Sequence, residues 1–121
     1  MMGTDRNLIV TIVKKGWGDS VLQASIKAGA DGGTVMIGRG VGVREQQTIL
    51  GITIEPEKEV VLSVTRPEKT DAILEAIKDA AELCKPGTGL AFVLPVSRVV
   101  GVVHEEVPEP SDVVEEKAEE K

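Results

Sequence analysis

The sequence predicts an α+β domain made of two similar β-α-β units. Residues 7–13 (NLIVTIV) and 59–65 (EVVLSVT) are short β-branched runs of the kind that form buried strands. Each run is followed by a helical pattern, then by glycine-rich residues, and then by a further apolar run. Two such units in about 100 residues are typical of the split β-α-β, ferredoxin-like sandwich, whose antiparallel sheet carries both helices on one face. The other face would need cover, so the apolar strands favour sheet-to-sheet oligomerisation.

The first unit contains a helix predicted over residues 18–28. Its modest apolar face is formed by Val21, Leu22, Ser25, Ile26 and Ala28. Residues 29–33 (GADGG) end this helix, because glycine is the usual residue just past a helix C-terminus. Residues 34–37 (TVMI) are then predicted to form the next strand.

The second unit begins with the strand over residues 59–65. Thr65 and Glu68 have the spacing of a capping box, and Pro67 suits the first helical turn. The helix itself is indicated by apolar residues at i, i+3, i+4 and i+7, namely Ile73, Ala76, Ile77 and Ala80. KPGTG (85–89) is predicted to end the helix, and residues 90–94 and 98–103 to form two strands.

The charge of the chain divides it into a body and a tail. The formal net charge is −6, and residues 105–121 hold eight acidic and two basic residues, so residues 1–104 are neutral. Dense like charge, two prolines and no aromatic residue predict a disordered tail over 105–121. The folded domain is therefore predicted over residues 1–104.

Composition also excludes several function classes. A neutral body with 2% aromatic residues offers neither the basic surface nor the stacking rings that bind nucleic acid. No apolar run approaches the roughly 20 residues of a membrane span. The single cysteine, Cys84, cannot form an internal disulfide, which indicates a reducing cytoplasm. His104 and Cys84 have no partners at metal-ligand spacing, and no catalytic set is present, so neither a metal site nor an enzyme is expected.

Two glycine clusters are the main functional signal. KPGTG (85–89) follows a helix and has Leu90 where a lysine would help, so it is not a Walker phosphate loop. GRGVG (38–42) differs from the dinucleotide fingerprint G-x-G-x-x-G, and no convincing helix follows it. Two interpretations remain for each cluster: a turn that needs glycine for its geometry, or a loop whose main-chain N–H groups bind an anion.

A long connection separates the two units. Residues 39–57 (RGVGVREQQTILGITIEPE) far exceed the usual connection of about 4–6 residues, and long loops are more often functional. We therefore expect a mobile arm that rises from two strand ends.

Together, the clusters resemble a known family. GGTVMIGRGVG (32–42) is similar to the G-x-T-V strand and K-G-F-G motif of the PII signalling superfamily, and KPGTGLAFVLPV (85–96) to its K-I-G-D-G-K-I-F-V segment followed by P-V. Lys58 stands where that family keeps a lysine, and the resemblance spans about residues 7–103. It implies a homotrimer with ligand clefts between subunits, in which the 87–89 loop holds the phosphates of an adenine nucleotide.

The resemblance also implies an arm and a set of ligand-binding residues. The arm over 41–57 corresponds to the family's T-loop, which changes shape with ligand and binds a target, often a membrane transporter or a metabolic enzyme. The implied ligand-binding residues are Thr34, Gly40, Val41, Gly42, Val43, Arg44, Lys58, Val64, Lys85, Gly87, Thr88, Gly89 and Leu90.

Departures from the family pattern bear on the ligand. Leu90 replaces the family's lysine, Thr88 its aspartate, and residues 101–103 (GVV) its R-x-R. Fewer charge-assisted bonds to phosphate favour AMP or ADP over ATP as the effector, with no cofactor required. Arg44 replaces the glutamine that helps to hold magnesium and 2-oxoglutarate, and the arm lacks the family's modified tyrosine.

Two alternatives to a nucleotide sensor remain. One is a structural or metal-responsive trimer of the same fold, in which the glycines serve geometry alone. The other is a small enzyme with a titratable group in the cleft, for which Lys58 and Arg44 are the candidates.

Overall fold

A computed structural model describes residues 2–3, 5–42, 47–54 and 56–101. The elements in chain order are β1 (Met2–Gly3), β2 (Arg6–Lys14), α1 (Gly18–Lys27), β3 (Thr34–Arg39), β4 (Gln47–Ile49), β5 (Ile52–Ile54), β6 (Glu57–Thr65), α2 (Pro67–Ala80), β7 (Gly89–Val96) and β8 (Val99–Val100).

Four strands form one antiparallel sheet in the order β3-β6-β2-β7. The two strands of each β-α-β unit are therefore not neighbours, because β6 lies between β2 and β3, and β2 lies between β6 and β7. This interleaving is the split β-α-β arrangement, so the predicted ferredoxin-like fold is confirmed.

One face of the sheet and the two helices enclose the core. Alternate residues of the central strands point toward the helices and are fully buried, as the 2-residue period of a strand requires. The buried apolar side chains are Ile9, Val13, Val21, Ala30, Val61, Ile73, Ile77 and Ala81. Ile73 and Ile77 confirm the apolar face predicted for α2.

The opposite face of the sheet is apolar and no described helix covers it. The register aligns Ile12 with Val60 and Leu90, and the neighbouring rows continue the same pattern. Several side chains on this open face are exposed: Met36, Leu90, Phe92 and Leu94. The predicted sheet-to-sheet assembly would cover them, and it stays a prediction.

The predicted capping box is wrong. Arg66 is the N-cap of α2 and no side chain caps this end, although Pro67 does open the helix as predicted. Thr65 is buried, and its hydroxyl lies 2.7 Å from that of Thr70. Because the Thr70 hydroxyl donates to the Arg66 carbonyl (2.8 Å), Thr65 must donate to Thr70, and Asn7 Nδ2 donates to the same oxygen (3.0 Å). Thr65 thus joins β6 to α2 from inside the core.

The predicted end of α2 is also wrong. The helix stops at Ala80, and Glu82 takes a left-handed conformation (φ 53°), three residues before Lys85. The Leu83 N–H bonds to the Lys78 carbonyl (3.0 Å), which closes the end in the manner of a Schellman motif without glycine. KPGTG forms the following turn instead. Helix α1 does end at glycine as predicted, with Gly29 at φ 123°.

The arm contains structure that the sequence pattern did not predict. Strands β4 and β5 pair as a short hairpin. The predicted strand over 98–103 is reduced, among the described residues, to β8, which pairs with β1. The acidic tail over 105–121 lies outside the described residues. In the described part of the chain, no helix is long and apolar enough to cross a membrane.

Candidate functional site

A cavity of about 730 Å³ opens at one end of the sheet. It lies where β3 and β2 end and where β6 and β7 begin, because the antiparallel order brings these four ends together. Seven of the predicted site residues line it: Gly40, Val41, Gly42, Lys58, Gly87, Gly89 and Leu90. Ile12, Gly38, Arg39 and Val60 complete the lining.

The two glycine clusters meet within one chain. The resemblance implies ligand clefts between neighbouring subunits. In the structure, the end of β3 and the start of β7 lie at the same edge of a single sheet, so both clusters line the same cavity. A single subunit thus supplies residues of both clusters, and the cleft between subunits stays a prediction.

Two of the described residues that were predicted for the site, Thr34 and Val64, lie on the sheet away from this cavity. Thr34 pairs with Leu62, and Val64 pairs with Leu8, farther along the open face. The ligand contacts that the resemblance implies for Thr34 and Val64 stay predictions. Val43 and Arg44 lie outside the described residues.

Lys85 and Thr88 have local partners in the turn before β7. The Thr88 hydroxyl lies within hydrogen-bond distance of two carbonyls, those of Glu82 (2.8 Å) and Lys85 (3.0 Å). Lys85 Nζ pairs with Glu82 Oε1 at 3.0 Å on the surface. These contacts shape the loop that carries Gly87 and Gly89, whereas neither residue lines the cavity.

Glycine stands at different positions of the cavity for different physical reasons. Gly89 has φ 146°, and a Cβ there would overlap the Ile12 carbonyl oxygen, so the fold itself requires glycine. Gly38 and Gly40 do not have a positive φ, and no described heavy atom lies within 4 Å of the point that a Cβ would occupy at either residue. Glycine at 38 and 40 is therefore not explained by packing within the chain. It leaves the main chain open to a molecule in the cavity.

Basic side chains concentrate at the cavity end of the sheet. Lys58 is directly opposite Lys14 in the β2–β6 register and opposite Gly38 in the β3–β6 register. Like charges directly opposite each other destabilise a sheet, and an anion nearby would offset that repulsion. Arg39 also lines the cavity. Sequence reasoning missed Lys14, although its position two residues after Ile12 puts both on one strand face.

Polar contacts also hold the base of the arm beside the cavity. The Gly40 N–H donates to the Pro56 carbonyl at 3.2 Å, which joins the two ends of the arm where the chain leaves β3 and enters β6. At the start of β6, Glu57 Oε1 lies 2.9 Å from Lys15 Nζ. Through this hydrogen bond and its charge, Lys15 lowers the pKa of the Glu57 carboxyl, and Glu57 raises the pKa of Lys15.

The cavity therefore combines an apolar floor with a basic rim and accessible main chain. Ile12, Val60 and Leu90 form the floor, and Lys58 and Arg39 supply positive charge. Among the described residues, no group of three or more His, Cys, Asp or Glu side chains could hold a metal ion. Such a cavity suits a ligand with one flat or apolar part and one anionic part.

Comparison with known protein families identifies the chain. The family model described as nitrogen regulatory protein P-II matches residues 6–106, which is most of the 121-residue sequence. The chain belongs to the P-II family. The P-II match includes both glycine clusters, the arm between them and every element from β2 to β8. P-II proteins are signalling regulators that bind small ligands and are not enzymes, so this chain is a P-II signalling protein.

A solved structure supports the same assignment. The chain is similar to Arabidopsis thaliana PII bound to citrate, with 26% sequence identity and a TM-score of 0.64. The similarity covers 85% of this chain and 88% of the Arabidopsis chain. No curated protein matches this P-II sequence.

Proposed function

We propose that this P-II protein is a homotrimeric sensor that binds an adenine nucleotide in its cavity and controls a target protein through the arm. The observation that carries the proposal is the cavity itself, which joins both glycine clusters, a basic rim and the base of the arm in one place. AMP and ADP are the favoured ligands.

The size and chemistry of the cavity support a nucleotide. Its volume of about 730 Å³ falls within the range of about 300–1,000 Å³ that small-molecule sites occupy. The apolar floor suits a base or a ribose. The open main chain near Gly87 suits phosphate, because successive N–H groups in a turn bind anions.

The preference for few phosphates follows from Leu90 and from residues 101–103 (GVV), which stand where the family pattern has a lysine and R-x-R. Leu90 lines the cavity and is 53% exposed, so an apolar side chain faces the ligand where the family pattern has a lysine. Each charge-assisted hydrogen bond that is lost weakens binding by about 1.5–3 kcal/mol, so the triphosphate loses most.

Trimer formation would cover the open sheet face. Met36, Phe92 and Leu94 are large apolar side chains exposed on that face, and contiguous apolar patches of this kind mark protein interfaces. Thr34 and Val64 lie on the same face, so a neighbouring subunit could bring them to an adjacent ligand.

Ligand binding would be coupled to the arm through its base. Val41 and Gly42 line the cavity, and Gly40 bonds to Pro56 at the other end of the arm. A ligand that contacts these residues has a different affinity for each arm conformation, and such couplings are typically about 1–3 kcal/mol. The target would be a membrane transporter or a metabolic enzyme.

Calorimetric titration with AMP, ADP, ATP and cyclic nucleotides tests the proposal. We expect heat from AMP and ADP, weaker binding of ATP, and loss of binding in Lys58→Ala. Lys69→Ala is the matched control, since Lys69 lies on α2 away from the cavity. No heat from any nucleotide at millimolar concentration would refute nucleotide sensing and favour the alternative, a structural or metal-responsive trimer. Citrate belongs in the same titration, because the Arabidopsis relative holds it.

A further inference from the structure

The tip of the arm presents an exposed leucine in an unfavourable backbone conformation. Strands β4 and β5 are joined by the two-residue loop Leu50-Gly51. Both residues have positive φ, 54° and 81°, as a type I′ hairpin turn requires. Leu50 is 96% exposed, and Ile52 beside it is 66% exposed.

The fold does not account for Leu50. Asparagine, aspartate and glycine are the residues that favour the first position of a type I′ turn, whereas leucine meets steric resistance there. Almost complete exposure means that burial within the chain offsets none of this cost. Non-glycine residues held in the left-handed region cluster at functional sites, where a partner or ligand supplies the missing contacts.

The charge pattern around the tip indicates what it binds. Residues 47–54 contain no charged side chain, although charged residues make up 28% of the sequence. The whole connection over 39–57 has two arginines and three glutamates, so it lacks the basic excess that draws a segment to an anionic lipid surface. An uncharged, narrow, apolar tip fits an uncharged pocket in a protein.

We propose that Leu50 is an apolar anchor that inserts, with Ile52 beside it, into an uncharged apolar pocket of the target protein. This inference rests on the proposed function, in which the arm contacts the target. It adds the chemistry of the contact: burial of Leu50 supplies the affinity, and charge at the tip does not.

Leu50→Asn separates this role from a structural one. The variant forms Asn-Gly, the preferred type I′ sequence, so the hairpin keeps its turn while the apolar side chain is lost. Leu50→Met keeps an apolar side chain and is the conservative variant. Ile26→Asn is the matched control, since Ile26 is an exposed apolar residue of α1, away from the arm.

The target is first identified with a photoreactive residue at position 52 of the full chain, in cells, followed by mass spectrometry of the cross-linked peptide. Binding of that purified protein to the variants is then measured. In the cross-linking experiment, we expect a single protein other than this chain, cross-linked within an uncharged segment. In the binding measurements, we expect Leu50→Asn to bind that protein at least tenfold more weakly than the wild type. Leu50→Met and Ile26→Asn should bind within threefold of the wild type.

Several results would overturn the inference. One is target binding by Leu50→Asn that equals that of the wild type. Others are the absence of a cross-linked protein, or a cross-link to a second copy of this chain. The last is co-sedimentation with phosphatidylcholine or phosphatidylglycerol vesicles that depends on Leu50. Leu50→Asn should bind AMP and ADP as the wild type does. Absence of nucleotide binding in the wild type would reject the sensor proposal. If only the inference about Leu50 is wrong, the wild type and Leu50→Asn should still bind nucleotide.

Discussion

Leu90→Lys should convert the cavity into a better site for ATP. Leu90 lines the cavity opposite Ile12, on the same face as Lys58, so a lysine there adds a cation beside the phosphates. A hydrogen bond to a charged group contributes about 1.5–3 kcal/mol, and the 53% exposure of Leu90 leads us to take the lower end because water screens the new charge. About 1.5 kcal/mol corresponds to roughly tenfold tighter binding of ATP. AMP, with its single phosphate, should gain less.

Calorimetric titration of ATP and AMP into the wild type, Leu90→Lys and Val93→Lys measures this change. Val93→Lys adds the same charge to the same strand, but on the face that points toward the helices, because Val93 pairs with buried Ile9. We expect the ATP gain in Leu90→Lys alone. Unchanged ATP affinity in Leu90→Lys, or an equal gain in Val93→Lys, would refute the view that Leu90 limits the phosphate charge of the ligand.

Further predictions concern stability, the cavity glycines and the Lys15–Glu57 ion pair. Gly89→Ala should lower the free energy of unfolding by about 1–3 kcal/mol in urea titrations, because the methyl group overlaps a β2 carbonyl; a neutral effect would contradict the geometry. Gly38→Ala should change stability by less than about 0.5 kcal/mol yet weaken nucleotide binding; unchanged affinity would show that the open main chain is not used. Ile73→Ala, at a fully buried position, should cost about 2–5 kcal/mol in the same titrations. Lys15→Ala should raise the pKa of Glu57 toward its ordinary value in an NMR pH titration. The pKa of Glu57 is lowered in the folded state. The ion pair therefore stabilises the fold above the pKa that Glu57 has in the unfolded chain, and this stabilisation is lost as the pH falls through the pKa of the folded state. An unchanged Glu57 pKa in Lys15→Ala would exclude the ion pair in solution.

The main elements were predictable because their signals are local. β-Branched runs over 7–13 and 59–65 and the i, i+3, i+4, i+7 pattern of α2 depend on neighbours in sequence, and the structure contains all three elements. The capping box failed because Thr65 has a competing partner in Thr70, five residues away. The hairpin in the arm was missed because its strands have three residues each and its turn is Leu-Gly rather than Asn-Gly.

The site was predictable in its parts but not in its assembly. Both glycine clusters were identified from sequence, and both line the cavity. That they meet in one chain depends on strand order, which no local signal specifies. Lys14 was missed for a related reason, since its position opposite Lys58 follows from the β2–β6 register. Residue types therefore indicated the chemistry, whereas long-range pairing determined the geometry.

Backbone amide NMR spectra recorded during titration with ADP test nucleotide binding in the cavity most directly. The structure leads us to expect the largest shifts together in two segments far apart in sequence, 38–42 and 87–90, with smaller shifts at Lys58 and at the base of the arm. A nucleotide site at this end of the sheet would be contradicted if saturating ADP left the amide signals of both segments unshifted. It would also be contradicted if ADP shifted the amide signals of other residues instead.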